Sequence, residues 1–137
     1  MSVAARTLVA GTARGEVLRL EAPLSFWGGL DVTTGRIIDR HHPQHGAVLA
    51  GRVVVLPAGR GSSSSSSVLA EAVRLGTAPA ALVMGEADGI VALGAIVAAE
   101  LYGTRLPVVV ADAAELTDGT RVRVTAEADA ASIDPTP

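Results

Sequence analysis

The chain has 137 residues, 49% of them hydrophobic, and sets 11 arginines, with no lysine, against 14 acidic residues for a formal net charge of −3. That length suffices to bury a core without staples, and the absence of cysteine excludes disulfides and iron-sulfur ligation within the chain. A net-acidic balance exerts no pull on nucleic acid, so no nucleic-acid partner is expected.

Residues 1–10 hold an arginine among small residues and no apolar run of signal-peptide length, which points to a cytoplasmic location. Glu16 to Glu21 reads as a strand ended by Ala22-Pro23. From Leu24 to Asp39, paired glycines at Gly28-Gly29 and a Thr33-Thr34-Gly35 turn predict a shaped loop leading into a hairpin. His41 to Gly46 is a polar connection, and Arg52 to Leu56 an apolar strand closed by Pro57.

Beyond this point strands and helices alternate. A helix is expected from about Ser66 to Leu75, with Val68, Leu69, Ala72 and Val73 on one face and Gly76 and Pro79 as stops. Ala80 to Met84 is a short buried strand, Asp88 an N-cap, Gly89 to Tyr102 a helix stopped by Gly103, and Pro107 to Val110 another strand. The apolar stretch within that second helix is shorter than the roughly 20 residues a membrane span needs, so no membrane association is expected. Thr120 to Glu127 alternates polar and apolar residues, as a half-exposed strand pairing with Glu16 to Glu21 would. Residues 129–137 are small, polar and proline-bearing, which predicts a disordered tail. The fold class is therefore α/β, a β-α-β-α-β unit with parallel strands in a single domain spanning 1–137, its core at about 11–127.

The densest chemistry lies where the first helix begins. Gly59 to Ser67 reads G-R-G-S-S-S-S-S-S. One or two serines suffice to cap a helix; six after Gly-Arg-Gly suggest that a backbone turn and several hydroxyls are offered to a ligand at an anion-attracting N-terminus. Ser62 follows Gly61 directly and lies furthest from the regular helix, so it is the first candidate for a reactive hydroxyl, with Ser63 second. Arg60 supplies a charge that could hold a carboxylate or phosphate, and Gly61 with Ser63 completes the proposed binding set. The competing reading is a flexible linker or redundant caps, against which the adjoining strand and helix leave no room for a domain boundary. Neither a Walker A motif nor G-x-S-x-G occurs, which disfavours a nucleotide hydrolase or serine esterase.

Other residues carry two readings each. Phe26 and Trp27, beside Gly28-Gly29, either anchor a partner and wall a site or plug the domain's own core. His41, His42 and His45 are closely spaced, but Pro43 interrupts helical geometry and no third ligand class accompanies them, so a structural or interface role is preferred to a metal site. Glu71 and Arg74 have the spacing of a solvated helix pair. Glu100 and Tyr102 end an apolar helix where a polar handle could reach the surface or a subunit contact.

P-L-S-F-W-G-G-L-D at Pro23 to Asp31, T-G-R-I-I-D at Thr34 to Asp39, His42-Pro43, P-A-G-R-G-S-S-S-S-S at Pro57 to Ser66 and A-L-G-A-I-V-A-A-E-L-Y-G at Ala92 to Gly103 together resemble the aconitase X swivel domain. The resemblance implies a swivelling β/β/α domain, here as a separate small subunit that closes over a large catalytic subunit and completes a hydro-lyase site. It implies as substrate cis-3-hydroxy-L-proline, or alternatively (R)-5-phosphomevalonate. It places the proton-abstracting serine at Ser62, with Ser63 in the same motif. It assigns the iron or iron-sulfur centre to the large subunit, leaving no cofactor on this chain. A non-catalytic module that holds an anion in the serine loop is the alternative function.

Overall fold

A computed structural model describes residues 2–137. Its elements are β1 (Val3–Val9), β2 (Gly11–Arg19), a single irregular turn α1 (Phe26–Gly29), β3 (Leu30–Asp31), β4 (Arg36–Ile37), β5 (Val53–Leu56), α2 (Ser65–Leu75), β6 (Ala81–Met84), α3 (Gly89–Tyr102), β7 (Val108–Val110), β8 (Arg121–Ala126) and β9 (Ala131–Pro135). β5, β6 and β7 are nearly unbroken apolar runs because both of their faces are covered. Val54, Leu56, Leu82, Met84 and Val108 pack under α2 and α3. The alternate residues Val53, Val55, Ala81, Val83 and Val109 belong to a second core, with Val17, Val122, Val124 and Ile133.

That second core is the interior of a closed barrel in the order β1-β7-β6-β5-β2-β8-β9. β2, β5, β6 and β7 run parallel to their neighbours in turn. β8 pairs antiparallel with β2, and β9 with β8 and β1, while β1 returns antiparallel to β7 and closes the ring. Closure leaves the barrel no unpaired edge. α2 and α3 lie against each other over the parallel side, and Gly94 makes this possible: a Cβ there would stand 2.8 Å from the Ser66 carbonyl oxygen. α1 and the β3–β4 hairpin form a small annex beside them, its turn built on Gly35 at φ +73°. Among the described residues no helix is long and apolar enough to cross a membrane.

The structure departs from the sequence expectations at both ends of the chain and at two element boundaries. Residues 129–137 are not a disordered tail: β9 lies between β1 and β8, with Ile133 fully buried in the barrel. Its polar residues alternate outward, and the Ser2 and Ser132 hydroxyls donate to Asp134, holding that carboxyl below its ordinary range. The core also begins well before residue 11, since β1 brings Val3 and Val9 into it. The strand expected at Glu16 runs instead from Gly11 to Arg19, and the expected pairing with the Thr120 region is present, Glu16 opposite Arg121. The first helix starts at Ser65.

Ile133→Ala should destabilise the domain by about 3 kcal/mol, the usual range for a buried Ile lost without collapse. Chemical denaturation reads this directly; a wild-type midpoint would mean that the C-terminal segment does not pack in the barrel.

Candidate functional site: a serine cleft at the strand ends

β5, β6 and β7 end at Leu56, Met84 and Val110, and the turns that follow them gather at one end of the barrel. After β5 the chain bends through Pro57 to meet the segment preceding α1: Gly59 bridges to Leu24, and the Arg60 N–H donates to the Leu24 carbonyl over 3.3 Å. Gly61 sits at φ +94°, the left-handed region, and a Cβ there would come within 2.5 Å of the Ser25 hydroxyl. Glycine is thus required on two counts at the residue that launches Ser62.

The serines that follow have separate tasks. Ser62 is exposed; its Oγ accepts from the Ser64 N–H at 3.1 Å and its carbonyl from the Ser65 N–H at 3.0 Å, so it folds the tight turn before α2. The residue at the helix start, Ser64, makes no side-chain cap bond. Ser65 is buried, and its Oγ accepts from the Trp27 N–H at 3.1 Å, tying α1 to α2. The Ser66 hydroxyl donates back to the Ser63 carbonyl at 2.9 Å. Among the described residues, the N–H groups of Gly61, Ser62 and Ser63 donate to no protein acceptor. Three backbone donors therefore remain in the turn ahead of α2, beside the Ser62 hydroxyl, whereas the first N–H groups of α2 itself are taken by the Ser62, Ser63 and Ser64 carbonyls.

Asp88 forms the opposite wall. One carboxylate oxygen accepts from the Ile90 and Val91 N–H groups at 2.9 and 3.1 Å, the expected cap of α3. The other stands so close to Gly59 that a Cβ there would lie 2.3 Å from it. The resulting cleft has a volume of about 210 Å³; Arg60, Gly61, Ser62, Ser65 and Asp88 provide its polar lining and Leu24, Phe26, Ile90 and Val91 its apolar walls. Of the sequence candidates, Arg60, Gly61 and Ser62 meet there and Ser63 lies just outside the lining. Ser65 was not singled out by sequence; a helix-period count that placed it on the buried face would have marked it. Phe26 is buried and Trp27 is 58% exposed, so the adjacent aromatics divide the two roles left open for them.

A larger cleft of about 560 Å³ opens at the same barrel end, between Arg19, Pro57, Gly85 and Asp112. It is the weaker chemical candidate: no hydroxyl lines it, and the Arg19 guanidinium is engaged by the Ala113 and Leu116 carbonyls. His42 is buried with both ring nitrogens occupied, Nε2 donating to the Ala22 carbonyl at 3.1 Å and Nδ1 accepting from the Gln44 N–H at 3.0 Å, a structural arrangement of the neutral ring. His41 and His45 are exposed. Arg74 and Glu71 form the expected solvated pair, Nε to Oε1 at 2.6 Å. With no cysteine in the sequence and no group of three His, Asp or Glu side chains gathered among the described residues, the donors present do not fit an iron or iron-sulfur centre.

A barrel of parallel and antiparallel strands, roofed on one side by two helices and presenting a glycine-serine turn at the strand ends, defines a β/β/α barrel domain. Over residues 2–133 the chain matches the aconitase X swivel domain model, and it belongs to that family. It is 55% identical over 103 residues to the cis-3-hydroxy-L-proline dehydratase of Pseudomonas aeruginosa, covering 75% of this chain and 18% of that protein. It is 40% identical over 128 residues to the phosphomevalonate dehydratase small subunit of Thermococcus onnurineus, covering 93% of this chain and 94% of the relative. The chain thus spans less than a fifth of the hydroxyproline enzyme but nearly the whole of the small subunit. The solved Thermococcus kodakaraensis aconitase X in its holo-form superposes with a TM-score of 0.89 at 35% identity, over 100% of this chain and 99% of that one.

Asp88→Ala should cost about 1 kcal/mol through loss of the α3 cap, whereas Asp88→Asn, which caps equally well, should retain wild-type stability. Denaturant titration distinguishes them; equal stability of Asp88→Ala and wild type would remove the cap from the account.

Proposed function

We propose that this chain is the small subunit of an aconitase X-type dehydratase, and that Ser62 accepts the substrate proton in a site completed by a large, metal-binding subunit. The observation that carries this reading is the position of the Ser62 hydroxyl at the mouth of a cleft, in a turn just ahead of α2 whose Gly61, Ser62 and Ser63 N–H groups meet no protein acceptor. Those donors and the helix dipole lower the cost of an alkoxide at Ser62, and such preorganised stabilisation requires no rearrangement as charge develops. Arg60, exposed at the cleft, is suited to a carboxylate of the substrate.

The substrate we favour is cis-3-hydroxy-L-proline, supported by 55% identity to a dehydratase of that name against 40% and 48% for two phosphomevalonate dehydratase small subunits. Ser62 takes the proton from the carbon bearing the carboxylate. The electron pair of that C–H bond becomes the new C=C bond as the neighbouring C–O bond breaks; the hydroxyl departs as hydroxide, which with the proton removed by Ser62 makes up one water. Departure of the hydroxyl is the task of the partner, which would hold the iron or iron-sulfur centre; this chain's part is to hold the carboxylate and move one proton.

In the complex reconstituted with the large subunit, Ser62→Ala should assemble normally and lower kcat by about 10²- to 10⁴-fold with KM little changed, the loss expected of a general base. Ser63→Ala should retain most of the turnover. Wild-type rates in Ser62→Ala would exclude it as proton acceptor, and preferential turnover of (R)-5-phosphomevalonate would reassign the substrate.

A further inference from the structure

α3 carries apolar residues on every side: its sequence, GIVALGAIVAAELY, holds one charged residue, Glu100. A helix apolar all round is covered all round in its working state. Its inner face, Val91, Gly94, Ala95 and Ala98, is buried, yet Leu93 and Ile96 on the outer face are 50% and 46% exposed. They stand three residues apart, one stripe of the helix surface, with Glu100 a turn further on at its end. The stripe is continuous with the serine cleft, because Ile90, one turn before Leu93, is part of the cleft wall. Across the cleft the pattern repeats: Phe26 lines it, and the next residue, Trp27, projects into solvent from a backbone tied to Ser65. The opposite side of the barrel is different in kind, bearing Arg14, Arg121, Arg123 and Thr125.

We infer that Trp27 and the Leu93–Ile96 stripe of α3 are the docking surface for the large subunit, flanking the serine cleft so that docking roofs it. This rests on the proposed small-subunit role. The occupant is fixed by two observations. In the hydroxyproline dehydratase of P. aeruginosa the matching region is only 18% of the chain, so a much larger body of protein is available to lie against it there, and the Thermococcus onnurineus relative that this chain matches over 94% of its length is by name a small subunit. A second copy of this chain on the same face would close the cleft against itself. The partner surface is accordingly apolar, with a pocket for one indole ring. Trp27 has the character of an interface anchor: large, rigid at the backbone and beside a polar centre.

Isothermal titration of the intact chain with its cognate large subunit tests the surface. Trp27→Ala should weaken association by about 30-fold, the effect of a hot-spot residue, and Leu93→Glu or Ile96→Glu by at least about tenfold, all with wild-type melting temperatures. Thr125→Glu, on the far side of the barrel, should bind as wild type does. If wild type binds and the three variants bind equally well, the docking surface is wrong while the small-subunit role stands. If Leu93→Glu instead dissolves a homodimer seen by sedimentation and leaves the affinity for the large subunit unchanged, the face belongs to a second copy and the inference fails. If wild type does not bind the large subunit at all, the underlying role falls and the surface with it.

Discussion

The contact between Gly59 and Asp88 is the constraint on which the site depends. One oxygen of Asp88 is locked by the first N–H groups of α3, so the carboxylate cannot swing away without uncapping that helix. The other lies where any side chain at residue 59 would have to be. The turn after β5 and the start of α3 are thereby held together at the carboxyl ends of adjacent parallel strands. From that fixed point the chain passes Arg60, turns at Gly61 and presents Ser62 outward. Replacing glycine at 59 would set packing against capping, and either way the wall of the cleft would move.

On the proposed reading, what is assembled there is one side of a site. Its volume, about 210 Å³, falls below the roughly 300 Å³ at which enclosed ligand pockets begin. It offers a hydroxyl, an arginine and free backbone donors, all suited to negative charge, and among the described residues no set of metal donors. On the proposed reading, the groups that help a hydroxyl leave come from the partner subunit. The exposed apolar residues follow the same logic, since Trp27 and the α3 stripe border the cleft, where a second polypeptide would both exclude water and supply the missing chemistry. Water exclusion matters for a serine base, because fixed dipoles act far more strongly on an alkoxide once solvent is gone.

The alternating middle of the chain is legible in sequence because each element there announces its own period and its own stop: branched runs at Val53 and Ala81, helical spacing in α2, Asp88 before α3, glycines after both helices. The barrel is not. β1 (VAARTLV) and β9 (ASIDP) lack a clean alternation of apolar and polar residues, so their strand character comes from pairing with each other and with β7 and β8. Local pattern cannot show pairing between residues more than a hundred positions apart. In the site, Gly61 and Ser62 are legible from glycine next to a helix start. The burial of Ser65, the second role of Asp88 and the split between Phe26 and Trp27 are not, since each depends on which segment folds against which.

On the proposed reading, the Ser62 hydroxyl takes a proton from the carbon bearing the substrate carboxylate. The most direct measurement is exchange of that proton with solvent, followed by proton NMR for the reconstituted complex and cis-3-hydroxy-L-proline in heavy water. The wild-type complex should replace it with deuterium, and a Ser62→Ala complex that still binds substrate should leave it in place. Exchange at the wild-type rate without the Ser62 hydroxyl would contradict the account.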